Sequence, residues 1–181
     1  MRLLSINVGQ PRAVPWRGEL VLTSIFKEPI AGPVAVRAMN LDGDRQSDLT
    51  VHGGARKAVY VYPSEHYPFW RRELPDLDIP YGAFGENLTT SGLLETSVRI
   101  GDRLTIGTTA FAVTQPRLPC FKLVIRFGRS DMVKRFMKSG RSGFYLQVTR
   151  EGTIATGDDI VLAAGDGAGA TISEAFARRP G

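Results

Sequence analysis

The stretch that decides the fold is Arg103–Cys120, RLTIGTTAFAVTQPRLPC. In its second half Phe111 and Val113 alternate with Ala112 and Thr114, the period of two that marks a half-buried strand over Ala110–Gln115. Arg103–Ile106 reads as a strand as well, and Gly107-Thr108-Thr109 joins the two as a hairpin. After Gln115, two prolines at 116 and 119 stiffen a turn that delivers Cys120 to the start of a helix.

Outward from this hairpin the same punctuation recurs. Further strands are predicted at Leu3–Val8, Val34–Ala38, Ala58–Tyr62, Phe144–Thr149 and Asp159–Leu162. With 20 glycines and 11 prolines spread through 181 residues, regular segments are short, which favours a mainly β chain over a helical bundle. Three helices fit between the strands. One follows Ser64 as N-cap, with Tyr67, Trp70 and Leu74 on one face. One runs from near Cys120 to Gly128. The third is capped by Ser130, buries Met132, Val133, Phe136 and Met137, and stops at Gly140. The reading is a distorted β-barrel, closed or partly open, spanning 1–164, followed by a flexible tail over 165–181 in which Thr171–Arg179 can form a short helix.

Bulk properties narrow the function. The chain is 43% hydrophobic and 23% charged, the balance of a single soluble domain. No apolar run approaches membrane-spanning length, and the opening MRLLSINVGQP reads as a strand rather than a signal peptide. One cysteine excludes an intramolecular disulfide and suits a reducing compartment, so a cytoplasmic location is expected. The formal charge of +5 favours anionic ligands or an acidic partner. The basic residues are dispersed without aromatic interleaving, so no specific nucleic-acid surface is expected.

Four segments can carry chemistry. Cys120, with Arg117 and Lys122 close by, is placed where a helix dipole and two cations favour thiolate. The residues leave three roles open for it: an inert buried thiol, a nucleophile needing His52 or His66 as base, or a ligand to a soft metal. His66, in the first turn of a helix, reads as a surface or capping residue. His52-Gly53-Gly54 precedes Arg56 and Lys57 in a loop whose backbone can approach a phosphate or a pterin edge. The loop from Asn40 to Asp48 is rich in acceptors, and Asp44 and Asp48 suit turn-forming or partner-holding roles rather than a calcium loop. In Phe84-Gly85-Glu86-Asn87-Leu88, a tight turn lets Glu86 bond neighbouring backbone or anchor a basic residue. Gly101-Asp102 is a turn.

In order along the chain, Gly43-Asp44-Arg45-Gln46-Ser47-Asp48, His52-Gly53-Gly54 with Lys57, Phe84 to Leu88, and Gly101-Asp102 followed by Gln115 to Cys120 resemble the MOSC domain. That family is named from the C-terminal part of molybdenum cofactor sulfurase. The resemblance covers roughly 1–164 and is nearest to the bacterial branch associated with resistance to N-hydroxylaminopurine. It implies a pyruvate-kinase-barrel-like fold holding a pterin-based molybdenum cofactor, with Cys120 as the ligand to molybdenum. It further implies reduction of N-hydroxylated small molecules to amines, with electrons from a flavoprotein or haem partner. Carried over by position, Cys120, Arg117 and His52 form the catalytic set. Arg45, His52, Gly53, Gly54, Lys57, Asn87, Arg117 and Lys122 join Cys120 in holding the cofactor. A non-catalytic carrier of the cofactor or its sulfur is the alternative reading. Oligomeric state is not legible.

Overall fold

The computed structural model describes residues 1–47, 54–165, 167 and 169–178. The chain opens with β1 (Arg2–Val8), a hairpin of β2 (Arg12–Trp16) and β3 (Glu19–Thr23), then β4 (Glu28–Ile30) and β5 (Val34–Val36). A 3₁₀ turn at Ala55–Lys57 enters β6 (Val59–Pro63), and a second at Ser64–His66 enters α1 (Tyr67–Glu73). There follow β7 (Leu88–Ser91), β8 (Arg103–Ile106) and β9 (Thr109–Pro116), then α2 (Lys122–Phe127) and α3 (Met132–Ser139). The chain continues through β10 (Phe144–Arg150), β11 (Gly152–Ile154), β12 (Ile160–Ala163) and α4 (Ile172–Ala177).

Eight of these strands form one mixed sheet in the order β12-β8-β9-β10-β6-β7-β1-β4, in which β6 and β7 run parallel and the other neighbours antiparallel. β11 pairs with β5, and β2 with β3, as separate two-stranded sheets. The expectation of a mainly β chain with a few short helices holds. A closed barrel is not found among the described residues. The nearest approach to closure is the bridge between Arg2 and Asp159, with the Leu3 N–H donating to the Asp158 carbonyl and the Ile160 N–H to that of Met1, both at 3.0 Å.

The β8–β9 hairpin forms as the alternation predicts. Ile106 pairs with Thr109 across Gly107, whose φ of +53° tightens the turn. Its inward residues Leu104, Phe111 and Val113 join Leu3, Ile6, Leu88 and Leu146 in an aliphatic core along the sheet. A second, aromatic core packs Tyr62, Tyr67, Trp70 and Phe84 against Phe127 and Phe136 of α2 and α3.

Two helix starts differ from the sequence reading. Ser64 opens the 3₁₀ turn and its hydroxyl bonds Glu65, so α1 begins three residues later at Tyr67, with Pro68 in the first turn where a missing N–H costs nothing. α3 starts from Asp131 rather than Ser130, and that carboxylate is taken by Arg135 at 2.6 Å instead of capping the helix. In α3, Met132 and Phe136 are buried while Val133 and Met137 are only half-buried. Gly128 and Gly140, both left-handed, end α2 and α3 as expected.

The segment beyond residue 164 carries α4. Thr171 and Glu174 form a reciprocal capping box, and Ile172 and Phe176 are buried. The Ile172 N–H donates to Val98 at 2.9 Å and the Ile100 N–H to Ala170 at 3.0 Å, which ties this stretch to the connection between β7 and β8 rather than leaving it a loose tail. Among the described residues no helix is long and apolar enough to cross a membrane.

Candidate functional site

β9 ends against β10, where Pro116 pairs with Phe144 and the Arg117 N–H reaches the Gly143 carbonyl at 3.3 Å. The chain then turns through Leu118 and Pro119 and presents Cys120, half-buried, two residues ahead of α2. That helix has only six residues. The side-chain cations around the thiol, more than the helix dipole, therefore set the electrostatics.

Cys120 lies on the wall of a cleft of about 600 Å³, counting its mouth open to solvent. Among the described residues, Lys27, Lys57, Arg117 and Lys122 line it beside one carboxylate, Asp44. The excess positive charge suits an anionic ligand.

Arg117 forms the floor. It is 5% exposed, its guanidinium lies 5.3 Å from the Tyr60 ring and 4.9 Å from Phe136, and its Nη1 has no hydrogen-bond partner. Burial works against its charge, while the Tyr60 and Tyr145 hydroxyls and the Cys120 sulfur favour it, with a net upward direction. Burial in turn raises the Tyr145 phenol, which the Arg117 charge opposes. Two other lining groups also lack protein partners, the Ser24 hydroxyl and the Gln46 carbonyl oxygen. Gln46 is oriented by its amide, which donates to the Met39 and Lys57 carbonyls at 3.3 and 3.2 Å. Unpaired buried polar atoms of both kinds are costly unless a ligand or water completes them.

One wall is a buried network. Lys27 pairs with Asp44, which also accepts from the Gly9 N–H at 2.9 Å and the Asn87 amide at 2.8 Å. Asn87 Oδ1 in turn accepts from the Tyr60 N–H at 3.1 Å. Burial lowers the Lys27 ammonium and Asp44 opposes it. Asp44 thus holds a partner, as its sequence context suggested. Lys122 reaches the Ser47 hydroxyl at 3.4 Å.

Glu86 fixes the neighbouring turn. Fully buried, it accepts from the Tyr67 hydroxyl, the Gly82 and Phe84 N–H groups at 2.8 and 3.1 Å, and the Thr89 hydroxyl at 3.0 Å. Burial raises its carboxyl, against those hydrogen bonds. The turn sets Phe84 and Gly85 on the cleft. Gly82, at φ +87°, has no room for a side chain: a Cβ there would meet the Lys27 carbonyl oxygen at 2.7 Å.

Of the residues singled out from sequence, Cys120, Arg117, Lys57, Lys122 and Asn87 come together on the cleft. Asn87's side chain is engaged by Asp44 and Tyr60. Arg45 is exposed and off the lining, its N–H bonded to Gly9 at 3.0 Å. Gly54 sits at φ +93° before the 3₁₀ turn and does not line the cleft. Asp48, His52 and Gly53 lie outside the described residues. His66 is corrected: it is buried, with Nε2 2.8 Å from Glu95, which also accepts the Gly143 N–H at 2.7 Å. Sequence reasoning missed Lys27, Ser24, Tyr60 and Tyr145. Nothing local marks Lys27, whose pairing with Asp44 spans 17 positions. Among the described residues, no three His, Cys, Asp or Glu side chains converge as a metal site.

These features can be set beside known proteins. The MOSC domain profile matches residues 48–161. The chain is 42% identical to the uncharacterized protein YflK of Bacillus subtilis (strain 168) over 177 residues, covering 98% of this chain and 79% of that one. It is 37% identical over 163 residues to a reductase of Gibberella moniliformis, covering 88% of this chain but only 29% of that protein. The crystal structure of YiiM from Geobacillus stearothermophilus superposes with a TM-score of 0.79 at 36% identity, over 97% of this chain and 81% of that one. The chain belongs to the MOSC domain family.

Proposed function

We propose that this protein is a reductase that holds a pterin-based molybdenum cofactor through Cys120 and converts N-hydroxylated small molecules, such as hydroxylaminopurine-like bases, amidoximes and hydroxylamines, to amines. The observation that carries the reading is a single thiol on the wall of a solvent-connected cationic cleft whose floor is a buried, incompletely bonded guanidinium. Among the described residues no side chains converge with Cys120 as further ligands, which suits a metal that brings its own, as a pterin dithiolene provides. Thiolate selects for soft metals, and the choice of molybdenum follows from the family. The fungal reductase supports a redox role.

When bound, the cofactor supplies the two-electron chemistry: R–NHOH plus two electrons and two protons gives R–NH₂ and water. The polypeptide binds, orients and charges the cleft. Lys57 and Lys122 neutralise anionic groups of the ligand from its rim. The unpaired atoms of Ser24 and Gln46 receive polar edges of the ligand, one able to donate and the other to accept. Arg117, buried and charged, aims its free Nη1 at ligand or substrate oxygen, where low polarity strengthens the hydrogen bond. The Lys27–Asp44–Asn87 network holds the wall in place without touching the reaction. The lone cysteine fits work in the cytoplasm.

Metal analysis of protein made in a host that synthesises the cofactor tests the assignment. Close to one molybdenum per chain is expected, lost in Cys120→Ala and Cys120→Ser, together with turnover of a hydroxylamine under a chemical reductant. Equal molybdenum in wild type and variants, or none in any, sinks the ligand role. Cofactor without turnover turns the assignment to a carrier.

A further inference from the structure

A second groove lies along α1 and α3. Its carboxylates, Glu73 and Asp131, are both bound by Arg135, at 3.2 and 2.6 Å. Lys134, Lys138 and Arg141 on its rim are left with no carboxylate partner among the described residues. Lys134 and Lys138 are four residues apart on α3 and share one helix face. Arg141 covers the half-buried Phe69 ring at 3.8 Å. The groove is thus an aromatic centre with a basic rim.

Its inner wall is continuous with the first cleft. Phe69 contacts Trp70 at 5.0 Å between ring centroids, and Trp70 contacts Phe84, which lines the cleft, at 5.4 Å. A parallel route runs from Trp70 to Phe136 at 6.0 Å, nearly coplanar at 12°, with the Arg117 guanidinium 4.9 Å from that ring. The indole N–H donates to the Tyr62 hydroxyl at 2.6 Å and locks the ring in register. Electron tunnelling decays exponentially with distance and is favoured by packed matter over gaps. Groove and cleft are two ring contacts apart, with no water-filled break implied by the packing.

Resting on the reductase reading above, we infer that this groove is where the electron donor docks, and that the donor is a small acidic flavoprotein. Three groove cations without a carboxylate partner among the described residues, one of them over the Phe69 ring, match a compact acidic face with its flavin edge at the centre. A nucleic-acid backbone would call for cations strung along a path, which the groove lacks. Two encounters, each oxidising the flavin by one electron, supply the two electrons of N–O cleavage, and the two protons come from water.

Flavodoxin, an acidic flavin mononucleotide protein, serves as the probe. Binding to the full chain, with and without its cofactor, is measured by calorimetry at low and physiological ionic strength. The expected result is salt-sensitive binding that weakens about tenfold or more in Lys134→Glu/Lys138→Glu, and amide-exchange protection of α1 and α3. At saturating flavodoxin, Phe69→Leu is expected to slow oxidation of the reduced flavin, whatever the variant costs in affinity. Equal affinity in the charge-reversed variant, protection elsewhere, or an undiminished rate in Phe69→Leu overturns the inference. So does tighter binding of a mixed-sequence duplex through the same lysines. Failure of dithionite to reduce the cofactor-loaded wild type overturns the proposed function instead, and the affinity measured on the cofactor-free chain still decides docking.

Discussion

The two cores of this molecule do different work. Along the sheet, Leu3, Ile6, Leu88, Leu104 and Leu146 pack without polar atoms, so cohesion there is non-directional and scales with buried area. Against α1, α2 and α3 the core is aromatic, and its rings carry hydrogen bonds: Trp70 to Tyr62, Tyr67 to Glu86, Tyr60 to the Ser142 carbonyl at 2.8 Å. Directional bonds fix ring positions that area alone would leave free. The cleft is built where these cores meet: Tyr60 on β6 and Phe84 on the Glu86 turn belong to the aromatic core, and Arg117, just past the end of β9, lies against Tyr60 and Phe136.

Substitutions on each side sharpen the contrast. The largest effect is expected from Glu86→Ala, which strands four buried donors. At roughly 1–3 kcal/mol for each unsatisfied group, a loss upwards of about 4 kcal/mol is expected in chemical denaturation. Leu146→Ala, in the aliphatic core, removes only volume and should cost about 3 kcal/mol. The two also differ with pH. Burial raises the folded Glu86 carboxyl above its unfolded value, so the folded state holds more protons between those values and stability falls as pH rises through that window. Leu146→Ala should keep that slope and Glu86→Gln should flatten it. An identical pH profile in both would break the distinction. Trp70→Phe keeps the stacking and loses one hydrogen bond, for about 1 kcal/mol by thermal unfolding. The smallest effect falls outside both cores: Thr171→Ala removes the α4 cap at about 1 kcal/mol or less and should raise amide exchange in α4 alone.

How much of this was legible follows the same division. The aliphatic core comes from strands of period two, so β8 was readable to the residue and β9 within one at either end. The strands that went unread are β2, β3, β4, β7 and β11. β2 and β4 each hold a proline, at 15 and 29, and β4 and β11 have three residues each, too short for periodicity to show. The aromatic core depends on residues far apart in the chain, and nothing near His66 announces Glu95. The site was legible where residues cluster in sequence, as Arg117, Cys120 and Lys122 do. It was illegible where a wall is assembled from distant segments, as with Ser24, Lys27 and Tyr145. Arg45 stands apart from the cleft although its neighbours Asp44 and Gln46 line it, because successive residues of an extended loop point to opposite sides.

The central claim is that the Cys120 sulfur meets the metal in that cleft. X-ray absorption at the molybdenum edge tests it most directly, on protein purified with its cofactor. The wild type is expected to show one sulfur around molybdenum beyond those that a pterin dithiolene supplies. A shell holding the dithiolene sulfurs alone, at full metal content, would contradict the account.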